Sequence, residues 1–416
     1  MKRLATALAV IAVVMGTRLT LIGQNAPQAP GQYIVVFHDD ESDGPGLAME
    51  HARAYGVGVS QLYQHALKGY AATIPAARLG DVERDPRVAF VSEDRPVEAF
   101  GQTLPTGIDR IDGELSSHAT SNSWNIAVAV IDTGSGPHAD LNIAGGVNCS
   151  GGNRKNFKDG NGHGTHVAGT IGARNDSAGV VGVAPGIPIY SVRVLNNQGS
   201  GTTSSVICGI DWVTANAGKL NIKVANMSLG GSGTDDGDCG NSNKDAMHKA
   251  ICKSVAAGVT YVVAAGNNSA DIKGFAPAAY NEVLAVTAIA DFNGLPGGGA
   301  APTCRSDVDD TAADFSNFSG DADAGHTIAA PGVCIHSTWL GGGYNTISGT
   351  SMASPHVAGT AALCIGTGKC TGGPSAIISK LHSDASGRPS SYGFLGDPNT
   401  PVAARYYGYL VYSGGY

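Results

Sequence analysis

Over most of the chain, apolar residues come in short unbroken runs rather than in alternation with polar ones. Residues 127–131, 189–195, 223–229, 261–265 and 283–287 each read as a strand covered on both faces. Between and after them, residues 163–173, 202–217, 244–256 and 351–363 have the length and composition of helices. This alternation predicts an α/β domain with a doubly wound parallel sheet, in which ligands sit beyond the carboxyl ends of the strands. The pattern before it is different. A strand at 33–37, a helix at 47–55, an extended 70–74, a helix at 76–83 and a strand at 88–91 predict a small α+β unit. Residues 25–31, Asn-Ala-Pro-Gln-Ala-Pro-Gly, read as the linker ahead of that unit.

Composition narrows the class. With 42% hydrophobic residues in 416 the chain has material for a large core, which excludes global disorder. Lys and Arg number 26 against 34 Asp and Glu, a formal charge of −8 without basic runs, so neither nucleic acid nor an anionic membrane is expected as a partner. Lys2 and Arg3 precede an apolar run over 4–15, the layout of a secretory signal and too short to span a bilayer. No later segment supplies a membrane anchor, and secretion is expected. The eight cysteines (149, 208, 239, 252, 304, 334, 364, 370) are even in number and form no CxxC, which favours disulfides over zinc. Short separations point to Cys364–Cys370 and Cys239–Cys252, leaving Cys304–Cys334 and Cys149–Cys208; spacing alone leaves the connectivity open. The α+β unit has no cysteine, which marks it as a separate folding unit.

Four polar positions fall where such a sheet places its chemistry. Asp132 closes the buried run Ala-Val-Ala-Val-Ile-Asp, where a carboxylate can orient an imidazole. His163, in Asn-Gly-His-Gly-Thr-His, sits between glycines at a helix start and can act as general base, then acid. His166 lies three residues on without an intervening Glu, and reads as a structural histidine rather than a zinc ligand. Ser351, in Gly-Thr-Ser-Met-Ala-Ser-Pro-His, opens a helix whose first N–H groups can face a developing oxyanion. Asn267, after Val-Val-Ala-Ala-Gly, offers a side-chain amide to the same oxyanion.

Taken together, Val130-Ile-Asp-Thr-Gly, His163-Gly-Thr-His-Val-Ala-Gly and Gly349-Thr-Ser-Met-Ala-Ser-Pro-His resemble the signature stretches of the subtilisin family of serine endopeptidases, in the chain order Asp, His, Ser. The resemblance implies a triad of Asp132, His163 and Ser351, with Asn267 as oxyanion donor. It implies that Gly199, Ser200 and Gly201 are an edge strand pairing with the substrate backbone, and that Ser228, Leu229 and Gly230 form the opposite strand and a wall of the S1 pocket. Structural Ca²⁺ is implied too, held by the carbonyls of Arg174, Ala178 and Val180, the side chains of Asp176 and Asp140, and Gln102. The α+β unit resembles the family's inhibitor-type propeptide, of ferredoxin-like fold. The implied plan is a signal peptide over 1–24, a propeptide over 25–100 and a subtilisin-like peptidase over 101–416. The zymogen would cleave itself near Phe100–Gly101, with Val97 and Phe100 in the S4 and S1 pockets, and act as a monomer on proteins and peptides.

Two rivals are weighed against this. A silent binding protein on the same scaffold is disfavoured by the unsubstituted triad. A carboxylate-dependent serine peptidase working in acid is disfavoured by His163 and Asn267. Phe100 points to apolar or aromatic P1 residues; Asp235, Asp236 and Asp238 keep a basic P1 residue open. The stretches 231–243 and 294–314 are longer than in compact family members.

Overall fold

The computed structural model describes residues 31–94 and 101–416. The signal-like run, the linker up to Pro30 and the pair Val97 and Phe100 lie outside the described residues. The described residues divide into two compact units, one within 1–99 and the other within 100–416.

In the first unit, β1 (Gln32–Phe37), α1 (Gly44–Tyr55), β2 (Gly58–Tyr63), β3 (Gly69–Thr73), α2 (Ala76–Glu83) and β4 (Val88–Glu93) follow one another. The strands form an antiparallel sheet in the order β2-β3-β1-β4, the ferredoxin-like arrangement of a βαββαβ chain. Val35, Phe37, Leu47, Tyr70, Ile74 and Val82 fill its core. The edge strand β2 was not expected. Its residues Gly-Val-Ser-Gln-Leu-Tyr are mostly exposed and carry no apolar run.

The second unit opens with the short helix α3 (Thr106–Arg110) and is built on a twisted parallel sheet. Its strands are β5 (Ala127–Asp132), β6 (Ile143–Asn148), β7 (Ile189–Arg193), β8 (Ile222–Met227), β10 (Thr260–Ala264), β12 (Leu284–Ala290) and β14 (Thr327–Pro331). The short strands β9 (Gly231–Ser232) and β11 (Phe275–Ala276) pair with each other, and β13 (Thr311–Ala312) runs antiparallel to the end of β12. The spatial order β6-β7-β5-β8-β10-β12-β14 shows how the chain leaves β5 to one side and then crosses to the other. The carboxyl end of β5 is thus at the switch point, where doubly wound sheets bind ligands.

Alternate side chains explain why these strands read as unbroken apolar runs. Val128 and Val130 of β5 enter one core, with α4 (His163–Gly172), α7 (Thr350–Gly366) and α8 (Pro374–Ser386). Ala127, Ala129 and Ile131 enter the other, with α5 (Thr203–Asn216) and α6 (Ala246–Ala256). All eight cysteines are paired: Cys149–Cys208, Cys239–Cys252, Cys304–Cys334 and Cys364–Cys370. Among the described residues no helix is long and apolar enough to cross a membrane.

Candidate active site

Asp132 is the last residue of β5 and is fully buried. His163 is the first residue of α4, and its Nδ1 donates to both Asp132 oxygens, at 2.8 and 3.0 Å. Helix and strand come this close because residue 164 is glycine: a Cβ there would lie 2.0 Å from the Gly134 carbonyl oxygen. With Nδ1 carrying the proton, the neutral ring holds its free lone pair on Nε2. Burial disfavours the His163 imidazolium, but the charge of Asp132, the hydrogen bond to it and the charge of Asp159 outweigh that and raise its pKa above the ordinary value.

Asp159 was not anticipated. Its carboxylate accepts from the backbone N–H groups of Asn161, Gly162 and Thr165 and from the hydroxyls of Thr133 and Thr165, all within 2.7–3.0 Å. It thereby caps α4 from outside the helix, where the N-cap Gly162 has no side chain to offer. The signal for it was the run Asp-Gly-Asn-Gly ahead of His163. His166 is a structural residue, as read from the sequence. It is fully buried, Nε2 meets the Ile335 carbonyl at 2.9 Å, and burial pushes its pKa down to about 3.

Ser351 is the second residue of α7. Pro355 lies four residues on and has no N–H, so the Ser351 carbonyl lacks its usual helical donor. The Ser228 hydroxyl takes that place at 2.8 Å. Asn226 of β8 donates to Ser228 Oγ at 2.9 Å, and Ser354 donates back to Asn226 at 2.8 Å. This chain of buried hydrogen bonds fixes the start of α7 against the end of β8. The Ser351 hydroxyl itself donates to the Ser228 carbonyl at 3.2 Å and not to His163.

The amide of Asn267 is oriented by Thr350, whose N–H and hydroxyl both donate to Asn267 Oδ1 at 2.8 Å. Thr350 Oγ1 in turn accepts from the Gly266 N–H at 3.0 Å. Nδ2 is left facing outward beside Gly349, where a Cβ would stand 3.5 Å from it. The motif revealed Ser351 from the sequence, but not that its neighbour Thr350 aligns Asn267.

A cleft of about 630 Å³ is lined by His163, Gly199–Gly201, Met247 and Ser228–Gly231. A second cavity of about 410 Å³ shares Leu229–Ser232 with it and reaches Asn267 and Ser351 over a floor of Ala264, Ala265 and Ala278. All six positions expected to bind substrate therefore line the cleft. Gly199–Gly201, however, is irregular chain leading into α5 and forms no strand here. Asp235, Asp236 and Asp238 line neither cavity, so nothing places them opposite a basic P1 side chain.

Away from the cleft, the carbonyls of Arg174, Ala178 and Val180 converge on Gln102 Nε2 at 2.6, 3.2 and 3.2 Å. Asp140 Oδ2 lies beside them, accepting from the Val180 N–H at 3.1 Å and the Tyr344 hydroxyl at 2.9 Å. Asp176 Oδ1 accepts from the Ala178 N–H at 3.3 Å. Gly179 adopts a left-handed φ of 62°, and a Cβ there would meet Asp140 and Tyr344 at about 2 Å. The three carbonyls and two carboxylates are oxygen donors that suit a hard cation, whereas Gln102 turns Nε2 toward them and would have to rotate its amide to offer Oε1.

A carboxylate–imidazole pair, a serine at a helix start and an oriented amide, all at the switch point of a parallel sheet, define a serine hydrolase of α/β architecture. The chain belongs to the Subtilase family, whose profile matches residues 123–372, and the profile of Peptidase inhibitor I9 matches residues 32–100. It is 35% identical over 367 residues to Alkaline elastase YaB of Bacillus sp. (strain YaB), covering 84% of this chain and 87% of that protein. To Subtilisin E of Bacillus subtilis (strain 168) it is 38% identical over 300 residues, 71% of this chain and 70% of that one. The crystal structure of a cold adapted subtilisin-like serine proteinase superposes with a TM-score of 0.58 at 33% identity, over 74% of this chain and 97% of that one. The protein is a subtilisin-like serine endopeptidase made with an inhibitory propeptide.

Proposed function

We propose that Ser351 is the nucleophile, His163 its general base and acid, and Asp132 the group that holds the imidazole. The hydroxyl turns from the Ser228 carbonyl toward Nε2, gives it a proton, and Oγ attacks the peptide carbonyl. Asn267 Nδ2 and the Ser351 N–H hold the oxyanion. His163 passes the proton to the leaving amine, and water, deprotonated in the same way, releases the acyl group. The observation that carries this reading is the 2.8 Å contact of His163 Nδ1 with Asp132, which leaves Nε2 free to take a proton. A fluorophosphonate probe should label the matured wild type and leave Ser351→Ala unlabelled; equal labelling of both would overturn the assignment.

An extended peptide would lie between Gly199–Gly201 and Ser228–Gly230, adding its backbone as a strand. The small, uncharged floor of the second cavity supports apolar and aromatic P1 residues. The carbonyls of Arg174, Ala178 and Val180, with Asp140, Asp176 and Gln102, would hold a Ca²⁺ ion that stabilises the fold without joining the chemistry. Four disulfides and the amino-terminal signal-like run support secretion, and the enzyme is read as a monomer. The proposed plan is a signal over 1–24, a propeptide over 25–100 and the peptidase over 101–416, cut near Phe100–Gly101. Sequencing the amino terminus of the secreted product tests this: a start at residue 101 supports it, and an intact 33–100 segment contradicts it.

A further inference from the structure

His248, in the first turns of α6, is fully buried and takes no part in the chemistry above. It stacks on Tyr280 with ring centroids 4.1 Å apart, and its Nε2 lies 2.8 Å from Glu282 Oε2. A carboxylate only accepts, so Nε2 carries the proton, and in the neutral ring Nδ1 is a bare lone pair. That buried Nδ1 has no hydrogen-bond partner. It faces two carboxylate oxygens, Asp236 Oδ1 at 3.5 Å and Asp235 Oδ1 at 3.7 Å. A lone pair held against two anions in a buried site is unstable unless positive charge stands between them. The separations exceed those of N–H···O bonds, which run to about 3.2 Å. Two donors of one tetrahedral zinc stand roughly 3.3–3.6 Å apart; the Asp236 oxygen lies within that range, and the Asp235 oxygen, at 3.7 Å, needs only a small side-chain shift to reach it.

We propose that Asp235, Asp236 and His248 form a second metal site, for a divalent cation of the zinc class. An imidazole donor disfavours Ca²⁺ and Mg²⁺ and suits Zn²⁺. His248 Nδ1 and Asp235 Oδ1 are the ligands. Asp235 Oδ1 accepts only the Gly237 N–H and keeps a lone pair. Asp236 already accepts four N–H groups, from Asp238, Gly240, Ser242 and Asn243, and contributes charge. Water reaching the exposed rim at Gly237 and Asp238 completes the shell. Glu282 is the outer carboxylate that fixes the tautomer, as it does for most metal-bound histidines. The ion would bind the 233–245 loop to α6 next to Met247, which lines the cleft, and near the Cys239–Cys252 bridge.

The test is equilibrium dialysis of the full chain against Zn²⁺ with Ca²⁺ in excess, followed by metal analysis. One Zn²⁺ per chain is expected, lost in Asp235→Asn and in His248→Gln, and held about ten- to hundredfold more weakly in Glu282→Gln. A Co²⁺-loaded wild type should show visible d–d absorption, which keeps the proposal testable if His248→Gln does not fold. Unchanged binding in Asp235→Asn overturns it. So does the absence of bound Zn²⁺ in the wild type, in which case a proton on Nδ1 fills the gap. Because the readout is bound metal, its failure is separate from any failure of the proposed triad.

Discussion

Burial of the His163 imidazole works against its charge, yet Asp132 and Asp159 together raise its pKa above the ordinary value of about 6.5. As the proposed general base His163 must be neutral, so kcat/KM should rise with pH through a midpoint above that value. This is higher than an unperturbed histidine would place it. Asp159→Asn removes one of the raising charges and should move the acid limb to lower pH, as a pH–rate profile of the two enzymes would show. A midpoint that stays put would mean that Asp159 acts only as a cap. Thr350 is a positioning residue of another kind, since it holds the acceptor end of Asn267 and so aims the donor end. Thr350→Val should lower kcat about tenfold with KM little changed, and Thr350→Ser, which keeps the hydroxyl, should restore it. Asn267→Leu removes the donor outright and should cost about 100- to 1,000-fold in kcat, the size found for the corresponding loss in subtilisin itself.

Among the elements, the pairing of α4 with β5 sets the site, and it depends on an absent side chain. Gly→Ala inside a helix ordinarily stabilises it, by up to about 1 kcal/mol. At Gly164 the added methyl would press on the Gly134 carbonyl and move His163 away from Asp132. Gly164→Ala should therefore lower kcat/KM about 100-fold, the scale of an ångström of misplacement. Gly218→Ala, where a Cβ meets nothing, should leave it unchanged. Most elements with this much burial were legible in the sequence, although β14, buried throughout, was not expected from its short run Thr-Ile-Ala-Ala-Pro. The runs at 127–131 and 261–265 match β5 and β10 to within a residue or two because both faces of those strands are covered. The strands β6 and β2 were not legible, since an edge strand such as Ile-Ala-Gly-Gly-Val-Asn needs no apolar run. The helix α8 was not anticipated although it carries an apolar stripe, with Pro374, Ile377, Ile378, Leu381 and Ala385 buried at helical spacing. The motif residues announced themselves by spacing. The contacts of Asn226 with Ser354 and of His248 with Tyr280 and Glu282 join segments far apart in the chain, and no local pattern carries them, whereas those of Asp159 are mostly local.

For the molecule as a whole, four cross-links supplement the two cores, and the proposed ion would add to them. The Cys149–Cys208 bridge joins residues 59 apart and Cys364–Cys370 joins residues 6 apart, so the first restricts the unfolded chain far more. The oxygen cluster around Gln102 ties the start of the second unit to the loop after α4, because Thr103 also bridges to Val180. An ion held there would bind the folded chain and not the unfolded one. At a hundredfold excess over its Kd it would add about 2.7 kcal/mol. Thermal unfolding of the matured enzyme, inactivated with phenylmethylsulfonyl fluoride to prevent autolysis, should therefore begin on the order of 5 °C lower in EGTA. Adding back Ca²⁺ alone should restore the difference, which separates this site from the one at His248. Asp140→Asn removes a charged donor while keeping the side chain's shape, and should shrink the response to Ca²⁺. A Tm indifferent to Ca²⁺ would mean that the Gln102 amide, bonded to the three carbonyls, holds the loop by itself.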